Sequence, residues 1–366
     1  MPDLHVVSFD RPWPPTYGGI VDVFWKVNSL EKLGVQVHLH YFDYGKQPAA
    51  SIPWKTIKGN EFERKIGWRS QLSFKPYIVQ SRKTEELWKA LNKDNAPILL
   101  EGQHCTGWLR DLRKKWPNRS IFVRCHNIEW AYYSKLAKAS SGWKAVYFRL
   151  ESFRLKLQEK ELSLATALFP ISKNEVDWFK RYSKNVHWVA PFFRDKDQLE
   201  LGHLPQNLDS PFVLMQGNFN QVNQQNRVNN FMLEFCDYDA LLVVAGQGVE
   251  NLRIPEEKRI QLISNPSEEA LTALNKMAEA HILCGEYMGG VPLRLLHALA
   301  SGKPVWANVE LASGTELEPW IQLYSKASDI SNPKTRKPNL NMEDFWGEYS
   351  NRESALCLMR RMGMEG

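Results

Sequence analysis

The 366 residues are enough for two domains of ordinary size, each with its own core. Hydrophobic content of 43% and charged content of 24% are those of a globular chain, and they exclude a disordered or fibrous one. The net charge of +6 is unevenly divided: residues 1–200 hold 33 basic and 21 acidic side chains, and the remainder holds 14 and 20. A basic first half and an acidic second half suggest domains that meet different partners. The basic half suits nucleic acid, anionic lipid or a phosphorylated acceptor. No nucleic-acid-binding module accompanies it, so no nucleic-acid partner is expected. The sequence contains no run of 18 uncharged apolar residues, and MPDLHVVSFDRP lacks a basic n-region ahead of an apolar stretch. The five cysteines are scattered and never in CxxC spacing. That pattern fits a reducing cytoplasm and argues against a structural zinc or a disulfide framework.

In chain order, LHVVSF (Leu4–Phe9) reads as a short apolar strand, broken by the Pro- and Gly-rich RPWPPTYGG. IVDVFWKVNSLEKLG then spaces Val23, Val27, Leu30 and Leu33 on one helical face that stops at Gly34. VQVHLHYF follows as a strand. APILLEG is a buried-strand run, GWLRDLRKKW reads as helix, and SIFVRCHN is another strand. A long amphipathic helix is expected over Trp143–Ala165, then two strands in ALFPIS and VHWVAPFF. RDKDQLELGHLPQNLDSP has no apolar periodicity and two prolines, the marks of an interdomain linker. After it come strand FVLMQGNF, a helix near Val228–Phe235, strands ALLVVAGQG and RIQLIS, and a helix capped by Ser267. Strand HILCG, helix PLRLLHALAS and strand PVWAN complete the pattern. The alternation predicts two successive doubly wound α/β domains. Their expected bounds are 1–193 and 211–335, with a linker at 194–210 and a helical segment at 336–366 packing back on the first domain.

Several of these stretches, in order, resemble one superfamily. PPTYGGIVDVF, RCHNIEWAYY, FPISKNEVDWF, LLVVAGQG and LHALASGKPVWAN are similar to the ordered motifs of the GT-B glycosyltransferases, and within them the retaining family 4. RPWPPTYGG, HNIEW and GTELEPW together look like a bacterial subgroup with a degenerate donor-site glutamate motif. The resemblance implies two Rossmann-like αβ domains facing each other across a cleft. It implies transfer of a sugar from a nucleotide-diphosphate sugar to a glycan or lipid-linked acceptor of cell-surface polysaccharide assembly. This is hexosyltransferase-like chemistry without metal or covalent nucleophile, in the cytoplasm or peripheral at the inner membrane face. Two departures stand out. The group's two glutamates, with seven residues between them, align with Gly289 and His297, and its Arg/Lys loop reads GNFNQVNQQNR here.

The candidate donor residues begin at GEYMGGVPLRLLHALASGKPV. Gly289 and Gly290 permit close backbone approach, and a helix opening at Pro292 presents N–H groups and a positive dipole end to a diphosphate. Arg294 can clamp phosphate oxygens and stabilise a departing nucleoside diphosphate. His297, in place of a glutamate, serves one ribose hydroxyl rather than two. Arg294, His297 and Ser301 share one stripe of that helix. Gly18 and Gly19 suit a tight ligand-facing turn, and the loop of Gly217, Asn218, Phe219 and Asn220 offers neutral amides. Thr315 and Glu316 are placed to reach the donor, with Glu316 substituting for the lost hydroxyl contact. His126 is expected at the transferred sugar, with capping or pairing to Glu129 as the plainer role. Glu101 and His104 are candidate acceptor contacts, and Asp22 reads as a surface residue near a helix start. Trp143–Ala165 admits a membrane-surface face, but the interrupting Glu151, Glu159 and Glu161 favour a packed helix with a solvated basic side. The lost glutamates also leave open a catalytically silent protein that binds glycans or assists a partner.

Overall fold

The computed structural model describes residues 2–43, 51–65, 67, 73–194, 208, 211–235, 241–256, 258–330, 333 and 340–364. The chain divides into two compact units. The first comprises Met1–Phe193, Met288–Val291 and Glu348–Gly366, and the second Arg194–Tyr287 and Pro292–Gly347.

The first unit opens with β1 (Asp3–Ser8), α1 (Gly18–Lys32), β2 (Gln36–Phe42) and β3 (Lys58–Phe62). Helices α2 (Tyr77–Gln80) and α3 (Glu85–Leu91) precede β4 (Ile98–Glu101). A 3₁₀ turn at Gln103–Trp108 runs into α4 (Leu109–Lys115), followed by β5 (Ile121–Cys125), α5 (Glu129–Lys138), α6 (Gly142–Gln158), β6 (Ala167–Pro170) and α7 (Val176–Phe179). The six strands form one parallel sheet in the order β3-β2-β1-β4-β5-β6. Parallel strands are covered on both faces, which is why β4, β5 and β6 are buried along their whole length. The strand order reverses between β1 and β4, and ligands of such sheets bind at the strand carboxyl ends beside that reversal.

The second unit repeats the scheme with β7 (Phe212–Asn218), α8 (Val222–Glu234), β8 (Leu241–Gln247), β9 (Ile260–Ser264), α9 (Glu268–Met277) and β10 (Ala280–Leu283). Helix α10 (Leu293–Ala300), β11 (Val305–Asn308), α11 (Val309–Ala312) and β12 (Gln322–Tyr324) complete it. Its parallel sheet runs β12-β11-β10-β7-β8-β9, with the reversal between β7 and β10. The fold is therefore α/β with two Rossmann-like units. Of the two closing helices, α12 (Met342–Tyr349) is divided between the units, and α13 (Asn351–Met362) adds Ala355, Leu358 and Met362 to the core of the first. Ser350 caps α13 by accepting the Glu353 N–H at 3.2 Å.

Four local expectations change. VHWVAPFF is not a sheet strand: it makes one isolated bridge, Leu168 to Val186, because the Val189 and Ala190 carbonyls turn inward to Arg124. The long helix stops at Gln158 and continues as a 3₁₀ turn over Glu159–Leu164. Helix α8 begins six residues before the expected Val228. β3 and β12 were not anticipated, since KGNEF is a largely exposed edge and QLY has three residues. Apart from Arg194 and Leu208, the expected linker lies outside the described residues, as does Cys236. No helix among the described residues is long and apolar enough to cross a membrane.

Candidate active site

The first unit builds its half-site around charges inside the sheet's carboxyl edge. Asp22 and Lys26 are one turn apart on α1, Glu101 ends β4, and Arg124 and His126 straddle the end of β5. All five are buried. Lys26 Nζ donates to Asp22 Oδ2 and to Glu101 Oε2, each at 2.8 Å. Arg124 donates through Nη2 to Asp22 Oδ1 at 2.9 Å and to the Ala190 carbonyl at 2.9 Å, and through Nη1 to the Val189 carbonyl at 2.7 Å. The Phe192 N–H completes Asp22 at 2.8 Å. Burial alone would raise the Asp22 carboxyl, but Arg124 and then Lys26 outweigh it and hold the group well below the usual carboxylate range. Asp22 is therefore a core anion and not the surface residue expected from its place near a helix start.

His126 Nε2 lies 3.1 Å from Glu101 Oε2, so the acid that orients this imidazole is Glu101, not Glu129. Glu101, a candidate acceptor contact, is fully buried between Lys26 and His126. Its other oxygen, Oε1, has no hydrogen-bond partner among the described residues. The same holds for His104 Nδ1, whose nearest acid is Glu129 Oε1 at 3.8 Å. Burial, then the charge of Arg82, keeps the His104 imidazole neutral well below its ordinary value. Burial, then the charge of Glu175, pushes the Glu129 carboxyl up to about 8. Gly102, at φ +71°, brings the two histidines together: a Cβ there would lie 3.0 Å from His104 Nδ1 and 3.6 Å from His126 Cδ2.

Asp22, Glu101 and His126 are also the group of described residues spaced to hold a metal ion. Within this group, Lys26 Nζ already bonds Asp22 and Glu101.

Gly18 opens α1, whose N-cap, Tyr17, makes no side-chain cap. Gly19 has a packing reason: a Cβ there would lie 2.7 Å from Phe9 Cζ. The Phe9 ring in turn lies against His104 and His126, with centroids at 5.1 and 5.6 Å. The Gly289-Gly290 turn belongs to this unit too. Gly289 sits at φ +122° and Gly290 at φ +62°, where side chains are strained. A Cβ on Gly290 would lie 2.4 Å from the His126 carbonyl oxygen. The Gly290 N–H donates to Glu175 Oε1 at 3.0 Å, so this amide, expected for phosphate, is engaged by a carboxylate.

The second unit's half-site lies at the β7/β10 reversal. The guanidinium of Arg294, on α10, reaches back over the ends of both strands. A Cβ on Gly285 would stand 2.0 Å from Arg294 Nη2, and one on Gly217 would stand 3.5 Å from Nη1. The two glycines therefore make room for the guanidinium, which lies 3.5 Å from the Cys284 carbonyl. Burial, then the nearby Arg227, lowers its pKa. The loop amides are partly committed: Asn218 Nδ2 donates to Gln247 Oε1 at 3.0 Å, and its Oδ1 accepts the Asn220 N–H at 3.1 Å. Phe219, expected in the loop surface, is a core residue. His297 is half-buried, and burial brings its pKa down to about 4, so it is neutral. Ser301 does not continue the Arg294–His297 stripe, because its Oγ turns to His281 Nε2 at 2.9 Å. Thr315 donates to the Ala312 carbonyl at 2.7 Å inside a turn, and Glu318 accepts the Gly314 N–H at 2.6 Å. Glu316 is half-buried beside it.

Sequence reasoning missed Lys26 and Arg124. Both carried a signal, because each interrupts an apolar pattern: Lys26 within the Val23–Leu30 face, and Arg124 within a strand buried on both sides.

With that geometry in hand, the chain has the GT-B fold. Sucrose-phosphate synthase from Thermosynechococcus elongatus superposes with a TM-score of 0.69 at 16% identity, covering 98% of each chain. The Anabaena HepE protein, solved with UDP and glucose, superposes with a TM-score of 0.61 at 12% identity, covering 99% of each chain. At the sequence level, an uncharacterized 44.6 kDa protein from the cps region of Klebsiella pneumoniae is 25% identical over 305 residues, 75% of this chain and 74% of that protein. No family model matches the sequence.

Proposed function

We propose that the protein is a glycosyltransferase moving a sugar from a nucleotide-diphosphate sugar to a glycan or glycolipid acceptor in the assembly of a cell-surface polysaccharide. The observation that carries this is Arg294, laid over two side-chain-free positions, Gly217 and Gly285, at the strand reversal of the second unit. A planar cation over bare backbone at that point suits a diphosphate, and its charge offsets the charge that grows on the leaving group. In the first unit, Glu101 holds His126 by Nε2, which leaves Nδ1 to accept from a sugar hydroxyl. Lys26, donating to the same carboxylate at 2.8 Å, holds Glu101 in place. The chemistry proposed needs no metal, and by resemblance it retains anomeric configuration. The location in a capsule region of the Klebsiella relative supports the class of product.

The test is thermal stabilisation by UDP, GDP, ADP and dTDP, followed by hydrolysis of the matching nucleotide sugar. At least one nucleotide is expected to raise Tm, and Arg294→Ala should remove the shift and lower hydrolysis by about 10²–10³. One observation favours a second reading, a catalytically silent GT-B protein that binds glycans or a partner: Glu175 engages the Gly290 amide, and Gly289 has a backbone hostile to the motif's glutamate. A protein whose Tm no nucleotide moves, yet which a glycan stabilises, would establish that alternative.

A further inference from the structure

Helix α6 carries an exposed apolar face. Trp143 is 89% exposed and Phe153 61%, and Val146, Tyr147, Leu150 and Leu157 are exposed with them. Their spacing is that of one helical stripe, lying on the outside of the first unit. Isolated exposed apolar side chains are ordinary, but a row of six along one helix is not.

The charges around the stripe are of one sign. Lys138, Lys144, Arg149, Lys156 and Lys160 are exposed on α5, α6 and the turn that follows. The glutamates that seemed to interrupt this basic pattern all turn away from solvent. Glu151 is fully buried, accepting the Tyr77 N–H at 2.7 Å and pairing with Arg154 at 2.8 Å. Glu159 is buried and accepts from Trp178 at 3.1 Å and Tyr182 at 2.9 Å. Glu161 is held between Lys75 at 3.7 Å and Arg110 at 3.4 Å. The only acid of α5, Glu129, is buried as well.

Beside the stripe, a groove of about 360 Å³ runs between α5 and α6, lined by Trp130, Ser134, Lys138, Arg149, Ser152 and Lys156. Lys156 Nζ stands 4.7 Å over the Trp130 ring. The Ser152 hydroxyl is spent on the Trp130 carbonyl at 2.7 Å, and three cations with the Ser134 hydroxyl around an aromatic floor make a receptor for a phosphate group.

We infer that the α5–α6 face docks on an anionic lipid bilayer, with the α6 stripe in the interfacial layer and the Lys138–Arg149–Lys156 groove on a lipid headgroup phosphate. The chemistry is that of an amphipathic helix lying in the plane of the interface, where apolar burial and attraction to anionic lipid add. A zwitterionic surface would satisfy the stripe alone. An acid-free basic rim is matched by a negatively charged one. This inference does not rest on the sugar-transfer reaction, and it holds or fails independently of it.

The full chain is floated with phosphatidylcholine vesicles and with vesicles containing phosphatidylglycerol. Flotation is expected only with the second, weakening as salt is raised. Trp143→Asp combined with Phe153→Asp, both at exposed positions, should lower vesicle partition at least about tenfold at unchanged Tm. Arg149→Gln with Lys156→Gln should remove the preference for phosphatidylglycerol. As a readout independent of these variants, brominated lipid should quench wild-type tryptophan fluorescence, and less so in Trp143→Tyr. Absence of flotation by the wild type, or equal partition by the aspartate variant, overturns the inference. So does a concentration-dependent dimer in sedimentation velocity that the aspartate variant abolishes, because the face would then belong to a second copy.

Discussion

The two half-sites solve opposite problems at equivalent places in their sheets. The first unit packs two acids, two strong cations and an imidazole into a buried interior, every charge answered by another at hydrogen-bond distance. The second unit sets one guanidinium over bare backbone, with neutral amides and a neutral imidazole nearby. Interlocked buried charges hold a geometry fixed, because each is costly to leave alone. Among the described residues no acid pairs with Arg294, which leaves its charge open to an anion. Under the proposed function, this contrast has the first unit position and the second unit receive.

The contrast breaks most readily at Lys26. Lys26→Met leaves Asp22 and Glu101 buried without their shared cation, and urea unfolding should register a loss of about 3–5 kcal/mol. Arg294→Ala should leave the unfolding curve nearly unchanged and lower nucleotide-sugar turnover by about 10²–10³. A similar loss of stability in both variants would erase the distinction. Gly285→Ala drives a methyl into the guanidinium, 2.0 Å from Nη2. It should weaken nucleotide binding by about 2 kcal/mol in calorimetry, with Arg294 displaced rather than removed.

A subtler contrast lies in pH. Glu129 is held up at about 8 when folded, against an ordinary value of 4.5. A raised carboxyl keeps its proton longer in the folded state, so its contribution is fully present below 4.5 and is lost as pH rises towards 8. Glu129→Gln should flatten the fall of stability across that window in urea titrations at successive pH values. His297 works the other way: depressed to about 4 from 6.5, its contribution is present above 6.5 and lost as pH falls towards 4. The smallest expected effect is that of His297→Glu, which should tighten nucleotide binding by about 1 kcal/mol if the ribose lies there.

Much of the scaffold was legible because parallel sheets leave plain marks. Buried strands read as apolar runs, and Ser267 at the start of α9 accepts the Ala270 N–H at 3.2 Å as its capping chemistry requires. What escaped was decided by contacts distant in sequence. VHWVAPFF has the composition of a strand, but Arg124 claims two of its carbonyls. Asp22 looked like a solvated acid because nothing nearby in sequence announces Arg124, 102 residues away. The rim residues fared better: His126, Glu101 and His104 do share one corner, since strand ends at a sheet reversal follow from element order alone. Their division of labour did not follow, because burial of Glu101 depends on Lys26. The glutamates of the basic helix escaped for a related reason: they count as charge in composition, but Glu151 and Glu159 are buried and Glu161 is paired with Lys75 and Arg110.

Gly19 shows where this architecture is fragile. It contributes no reactive atom, yet a single added methyl would press on the Phe9 ring, and that ring braces both His104 and His126. A genetic screen scoring lost activity would rank position 19 beside the histidines themselves. Rescue would come from a second change that trims the ring, such as Phe9→Leu, so the two positions should drift together over evolutionary time. Clearance between a helix and a phenyl group thus matters to this corner as much as the side chains that form it.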